Sequence, residues 1–169
     1  MFVLGIDPGL TRCGYGCVAR EPSGLVARAA GVITTPVDMP LPKRLALLRA
    51  DLRLLMEETR PEAVAVERVL FQTNVRTAMG VGQASGLALA TAAEAGCSVT
   101  QYSANEVKQA VAGYGSATKE QVQTMVVSLL GLSKPPRPTD VADAMALAIC
   151  HLAVLPLQNA VRVACGGDA

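Results

Sequence analysis

The chain has 169 residues and a formal net charge of +1, and its composition is that of a folded protein. Hydrophobic residues make up 51% and charged residues 17%, which excludes a disordered chain and predicts one domain with a substantial core. The longest apolar stretch, 144–157, is shorter than the roughly 18 residues of a membrane helix, and Asp7 interrupts the apolar start. We therefore predict no membrane span and no signal peptide, and expect a cytoplasmic protein.

Cysteine and histidine are too few and too scattered for a zinc site. The five cysteines form no CxxC pair, and the chain has one histidine, His151. We expect the cysteines to be small buried hydrophobic residues in a reducing compartment, and His151 to be structural.

The first part of the chain predicts three β-strands, over 2–7, 14–19 and 25–34, which form an antiparallel meander. Leucines at three- and four-residue steps then predict an amphipathic helix from 42 to about 59. The run AVAVE at 63–67 is apolar up to its last residue, which is typical of a buried parallel strand.

The second part of the chain predicts mainly helices. A helix rich in small residues, a strand and three further helices are expected, at 74–95, 97–102, 104–112, 119–130 and 139–155. This order predicts an α/β domain over 1–155 with a mixed five-stranded sheet flanked by helices. The C-terminal tail, 156–169, shows little pattern and is expected to be flexible.

Four acidic residues fall at the ends of these elements. Asp7 ends the first strand and Glu67 ends the AVAVE strand, while Asp140 and Asp143 share one face of the last helix. Asp7 could be a turn former, Glu67 a chance edge carboxylate and Asp140 a helix-terminal acid. Asp143, however, lies among residues that should face the core. Together the positions predict one carboxylate cluster.

Crowded carboxylates raise one another's pKa or bind cations. With no histidine or cysteine to help, oxygen ligands select hard ions such as Mg²⁺ or Mn²⁺. Two such ions, about 3.5 to 4 Å apart, can activate water and stabilise the leaving oxygen in phosphodiester hydrolysis. The cluster therefore predicts nuclease chemistry, and acids committed to metal would leave an excess of basic residues for nucleic acid.

Four segments, in order, resemble the RuvC family of Holliday-junction resolvases: GIDPGLTRCGYG, VERVLFQTNVRTAMGVGQASG, SANEVKQAVAGYGSATKEQV and PTDVADAMALAICH. The resemblance runs from about residue 2 to residue 153. It implies a ribonuclease H-like fold and a homodimer that nicks opposed strands of a four-way DNA junction in recombination and repair, with branch-migration proteins as partners. It also implies that Asp7, Glu67, Asp140 and Asp143 are the catalytic carboxylates and hold two divalent ions.

The segment RVLFQTNVR, which follows the AVAVE strand, suggests a base-unstacking wedge beside a backbone clamp. Its arginines, Arg68 and Arg76, are candidate DNA contacts. The resemblance implies an aromatic wedge at the position of Leu70, whereas the aromatic residue here is Phe71, so both are candidates. A phenylalanine that packs in the core is the alternative.

Lys108 and Lys119 lie in segments where the resemblance implies phosphate contacts, although solvated helix lysines are common. Thr118 and Gln121 predict a capping box just around Lys119. Ser116, in a glycine-containing turn, could donate to a phosphate.

Gly82, Gly86 and Ala90, at four-residue steps, form a smooth stripe on the 74–95 helix. This stripe could pack on the protein's own sheet. The resemblance instead implies a dimer interface, and two-fold symmetry would supply the two equivalent sites that a resolvase needs.

Three other functions are alternatives to this one. GIDPGLT also resembles the first phosphate loop of actin-like ATPases and sugar kinases, but these need a second lobe, and the chain has no internal repeat. A catalytically silent junction-binding protein is disfavoured by the complete set of four acids. A nuclease of the same fold that acts on ribosomal RNA precursors, as in a related family, would differ in substrate preference.

Overall fold

The computed structural model describes residues 1–69 and 75–164, with side chains throughout these ranges except at 75–77 and 156–164. Every predicted strand and helix is present, with β2 longer at both ends than predicted. In chain order the elements are β1 (Phe2–Asp7), β2 (Arg12–Glu21), β3 (Gly24–Thr34), α1 (Leu41–Thr59), β4 (Ala63–Glu67), α2 (Val75–Glu94), β5 (Ser98–Tyr102), α3 (Ala104–Ala112), α4 (Lys119–Leu129) and α5 (Thr139–Ala164).

The strands form one mixed sheet in the order β3-β2-β1-β4-β5. The β1–β2 and β2–β3 pairs are antiparallel, which confirms the predicted meander. The β1–β4 and β4–β5 pairs are parallel. Because parallel strands end at the same edge of a sheet, Asp7 and Glu67 are brought to one edge.

Residue alternation along the strands gives the sheet two covered faces. Leu4 and Ile6 of β1 pack with the buried residues of α1 and α2. Val3 packs with those of α3, α4 and α5 on the other face. The same alternation directs the side chains of Asp7 and Glu67 toward the face that α5 covers.

Glycines in β1 and β2 let the backbone of α5 lie close to the sheet. A Cβ atom at Gly5 would stand 1.9 Å from the carbonyl oxygen of Ala144, and one at Gly14 would stand 2.2 Å from that of Asp140. Neither position has room for a side chain. The first turns of α5 are therefore seated directly beside the end of β1.

The last helix is longer than predicted, since α5 continues to Ala164 instead of ending at residue 155. A proline lies within it, and Pro156 has no N–H to donate to the carbonyl of Leu152, one turn earlier. Arg20 of β2 supplies the missing donor, with its Nη2 2.7 Å from that carbonyl oxygen. The division of the chain into a domain and a tail at residue 155 stays a prediction.

Replacing Arg20 by alanine is expected to lower the free energy of unfolding by about 1–2 kcal/mol, because the part-buried carbonyl of Leu152 loses a hydrogen bond from a charged donor. Urea unfolding measures this. Arg28→Ala is the matched control, since Arg28 is a β3 arginine that is half exposed and paired with Glu21. An equal loss in both variants would contradict a special role for Arg20.

The expected burial of the cysteines agrees with the structure over the residues that it describes. Four cysteines, Cys13, Cys17, Cys97 and Cys150, are free, and three of them are buried. His151 is buried, and its Nδ1 lies 2.9 Å from the hydroxyl of Tyr102. Within the same residues, no helix has the length and apolarity to cross a membrane.

Candidate active site

Three acidic side chains line one cavity of about 320 Å³ at the edge where β1 and β4 end: those of Asp7, Glu67 and Asp143. Asp140 lies one turn before Asp143 on α5, close enough for its charge to raise the pKa of Asp7. Its Oδ2 is 3.4 Å from Nη2 of Arg12. The structure therefore brings the four predicted acids together.

Burial and mutual repulsion make the acid cluster unfavourable when it is ionised. Burial, followed by the charges of Glu67, Asp143 and Asp140, raises the pKa of Asp7 to about 7. Burial also raises the pKa of Glu67, against a hydrogen bond that the Asp7 carboxyl donates to it. The pKa of Asp143 is raised by burial as well, although Lys119 opposes the rise.

Two lysines supply positive charge to this cavity. Lys119 Nζ lies 2.6 Å from Oδ2 of Asp143, and this hydrogen bond raises the pKa of the lysine. The predicted capping box of Thr118 and Gln121 is present and fixes the start of α4, of which Lys119 is the first residue. Lys108 of α3 lines the same cavity. These lysines therefore belong to the acidic site and are not simply solvated helix residues.

The donor chemistry of the cluster fits a hard divalent cation. All its ligand atoms are carboxylate oxygens. Oδ2 of Asp140 is buried and makes no hydrogen bond, although Arg12 Nη2 lies 3.4 Å away, and a bound ion or water can satisfy such an atom. With the side chains as they lie, no three acidic, histidine or cysteine side chains of the described residues are close enough to hold one ion. Coordination would therefore require these carboxylates to turn toward one another.

The remaining DNA-contact candidates are placed differently. Arg68 donates from its backbone N–H to Tyr102 O at 2.8 Å and from Nη2 to Gln101 O at 3.2 Å, so it lies along the end of β5. Ser116 is exposed in the turn before α4. Leu70 and Phe71 lie outside the described residues, and so does the side chain of Arg76.

The small-residue stripe of α2 faces away from the sheet. Gly82, Gly86 and Ala90 are exposed, and a Cβ atom at either glycine would meet nothing within 4 Å. A different set of small residues packs against the core: Ala84, Ala88 and Ala92. The alternative in which the stripe packs on its own sheet is therefore wrong.

Sequence reasoning missed three residues that contribute to this site. Gly5 and Gly14 seat α5, and Arg12 approaches Asp140. A signal for the glycines was present, because glycine inside a strand pattern often marks close approach of another backbone. Nothing in the local sequence singled out Arg12.

The site can be compared with known proteins. The family model for the crossover junction endodeoxyribonuclease RuvC matches residues 3–151. A crossover junction endodeoxyribonuclease RuvC from Streptomyces avermitilis is 50% identical over 167 residues, covering 97% of this chain and 94% of that protein.

Solved structures agree with these matches. The structure of Thermus thermophilus RuvC in complex with a Holliday junction substrate has a TM-score of 0.88 and 40% identity, covering 94% of this chain and 96% of that one. The yeast mitochondrial Holliday junction resolvase, at 15% identity and a TM-score of 0.69 over 96% and 84% of the two chains, shares the fold. The expected ribonuclease H-like architecture is thus confirmed, and the chain belongs to the RuvC family of crossover junction endodeoxyribonucleases.

Proposed function

We propose that this protein resolves four-way (Holliday) DNA junctions by metal-dependent nicking of two opposed strands. One observation carries the proposal. Three acids from β1, β4 and α5 line a cavity with Lys108 and Lys119 at the edge of the sheet, and Asp140 lies close enough for its charge to act on Asp7. The carboxylates can hold divalent cations that promote phosphodiester hydrolysis, and the lysines beside them can bind the phosphate.

The proposed ligands of two Mg²⁺ or Mn²⁺ ions are Asp7, Glu67, Asp140 and Asp143. When bound, the ions would lower the pKa of a water molecule and stabilise charge on the scissile phosphate. Lys119 and Lys108 would contact phosphate oxygens. Hydrolysis by water, without a covalent intermediate, would leave 5′-phosphate and 3′-hydroxyl ends.

We further propose that the protein acts as a homodimer through the exposed stripe of Gly82, Gly86 and Ala90. Small residues let two helices approach closely, and a two-fold axis would present two equivalent sites to opposed strands. By family resemblance we also propose a cytoplasmic location and branch-migration proteins as partners.

A cleavage assay on a synthetic four-way junction, with each strand end-labelled in turn, tests the proposal. Reactions contain Mg²⁺, Mn²⁺ or chelator, with a linear duplex and a structured RNA as control substrates and Asp143→Asn as the control for contaminating nuclease. Symmetrical, metal-dependent nicks in two opposed strands, absent on duplex, are expected. Tight binding without cuts in either metal would indicate a silent junction-binding protein, and preferential cutting of RNA would favour an RNA-processing nuclease.

Replacing Lys119 by alanine is expected to weaken junction binding and to reduce the slope of log K against log salt by about 0.9, because one phosphate contact is lost. Lys119→Arg should keep the slope. Arg49→Ala is the control, since Arg49 is paired with Glu94 on the surface of α1 and α2. An unchanged slope in Lys119→Ala would remove Lys119 from the phosphate contacts.

A further inference from the structure

A second cavity, of about 510 Å³, lies beside the loop 8–11 that joins β1 to β2. Its walls come from this loop, from the connection between β3 and α1, and from the first half of α2. Leu10, Val37 and Met79 are among the apolar residues that line it. Val37 is 72% exposed and Met79 is 62% exposed, so this groove presents apolar surface to solvent.

One guanidinium group is fixed at this groove. Arg44 of α1 donates from Nε to Oγ1 of Thr35 at 2.9 Å and from Nη2 to Oγ1 of Thr11 at 2.9 Å. Thr35 is buried, and its hydroxyl donates in turn to the carbonyl of Leu10. Among the described side chains, no carboxylate forms an ion pair with Arg44.

The hydrogen bonds of Arg44 point to an anionic ligand. Neutral hydroxyl oxygens hold the guanidinium in place and leave its charge uncompensated, while most of its five N–H donors remain available. A pre-oriented arginine is well suited to a phosphate, which accepts two parallel hydrogen bonds. The positive charge of Arg44 disfavours a cation as the ligand of this groove. The exposed apolar wall beside it suits a ligand that also has a hydrophobic part.

The loop 8–11 places this groove next to the acidic site. Thr11 follows Asp7 by four residues, which span at most about 14 Å. Arg12, at the other side of Thr11, lies against Asp140. A stacked DNA strand rises about 3.4 Å per nucleotide, so roughly four nucleotides cover the distance between the acids and the groove.

We infer that this groove binds the junction strand within about four nucleotides of the cleaved phosphate. A phosphodiester group contacts Arg44 and Thr11, and its sugar or base lies against Val37. The inference rests on the proposed function, and it names a DNA contact outside the acid cluster and its lysines. A second copy of the chain, packed on the exposed Met79, is the competing occupant.

The test is a scan of the junction backbone. Single uncharged methylphosphonate groups replace each of the four phosphates on either side of the cleaved one, and binding is measured in chelator across a range of salt. The wild-type protein should lose roughly tenfold in affinity at the position that faces the groove, as when a charged hydrogen bond is removed, besides any losses at phosphates that Lys108 and Lys119 contact. Arg44→Gln should bind the unmodified junction about tenfold more weakly, and its slope of log K against log salt should be smaller by about 0.9. At the groove position, a methylphosphonate should not weaken the binding of Arg44→Gln any further.

Two variants separate this contact from a purely structural role of Arg44. Arg44→Lys keeps the charge and should keep the salt slope, whereas Arg49→Ala, on the same helix, should bind like the wild type. If Arg44→Gln proves unstable because the loop 8–11 loses its hydrogen bonds to Arg44, the scan is repeated with Arg44→Lys, whose loss of affinity at the groove position should be smaller than that of the wild type. The inference would be overturned if none of the eight methylphosphonate substitutions lowered the affinity of the wild-type protein.

Other outcomes also discriminate. Equal sensitivity of wild type and Arg44→Gln at every position would overturn the inference. So would a change of oligomeric state in Arg44→Gln, measured by light scattering, because it would assign the groove to a second copy. Binding of the wild-type protein to the unmodified junction is measured before the scan. If the wild type does not bind, the proposed function itself is overturned.

Discussion

Asp7→Asn is expected to cut junctions at least about a thousandfold more slowly than the wild type, since the loss of one carboxylate ligand removes several kcal/mol of transition-state stabilisation. Junction binding should remain, because the lysines that line the cavity are unchanged. Gel-shift and single-turnover cleavage assays on the same junction measure the two effects. Loss of binding together with cleavage would show that Asp7 is structural.

The same substitution should stabilise the metal-free protein at neutral pH. The pKa of Asp7 rises from 3.8 to about 7 on folding, so the folded state holds a proton that the unfolded state has released between these values. The free energy of unfolding of the wild type therefore falls as the pH rises from 3.8 to about 7, and above pH 7 it stays lower than at pH 4. Asparagine has a similar shape without the charge, and should increase the free energy of unfolding at pH 8 by about 2–4 kcal/mol.

Urea unfolding in chelator at pH 4 and at pH 8 checks the sign of this effect. At pH 4 the variant and the wild type should differ little, because Asp7 is then protonated in the folded state. Added Mg²⁺ should raise the melting temperature of the wild type at pH 8 more than that of the variant, since ligand binding stabilises the folded state. Glu58→Gln, at an exposed position of α1, is the control for removing one negative charge. A destabilised Asp7→Asn at pH 8 would contradict the repulsion described for the cluster.

Gly5→Ala is expected to lower the free energy of unfolding by about 3 kcal/mol and to abolish cleavage. The added Cβ would lie 1.9 Å from the oxygen of Ala144 and 2.9 Å from the nitrogen of Ala148. Both are backbone atoms of α5, so no side chain can move aside to make room. The helix must shift as a unit, which would carry Asp143 away from Asp7.

Urea unfolding and the cleavage assay measure the two consequences of Gly5→Ala. Gly80→Ala is the matched control for stability, because a Cβ there would make only an ordinary contact with Leu10 at 3.9 Å. In a helix interior this change should be neutral or stabilising by up to about 1 kcal/mol. A Gly5→Ala protein that keeps its stability and still cuts would show that close seating of α5 is not required.

The elements of the fold could be predicted from sequence because their signals are local. Leucine spacing set the limits of α1 almost correctly, and the apolar run of β4 identified a buried parallel strand. Parallel strands share an edge, so the meeting of Asp7 and Glu67 followed from their positions at the ends of β1 and β4. The position of Asp143 among core-facing residues added the third member of the site.

The length of α5 could not be predicted in the same way. Pro156 is a local signal for a helix end, but the free carbonyl that it creates is satisfied by Arg20, which is 132 residues away from Leu152 in the chain. Only the packing of α5 on β2 supplies that donor. The outward orientation of the α2 stripe was equally undecidable, since α2 carries two rows of small residues and only one packs on the sheet.

The sequence by itself determined the α/β fold, the clustering of the four acids and the family. Periodicity, strand-end acids and ordered motifs are all properties of short segments. The tertiary structure decided the contacts between distant segments. It placed Lys119 on Asp143, seated α5 on Gly5, and set Arg44 beside the loop that follows Asp7. Such contacts depend on how helices and strands pack together, and a pattern that extends over three or four residues carries no information about that packing.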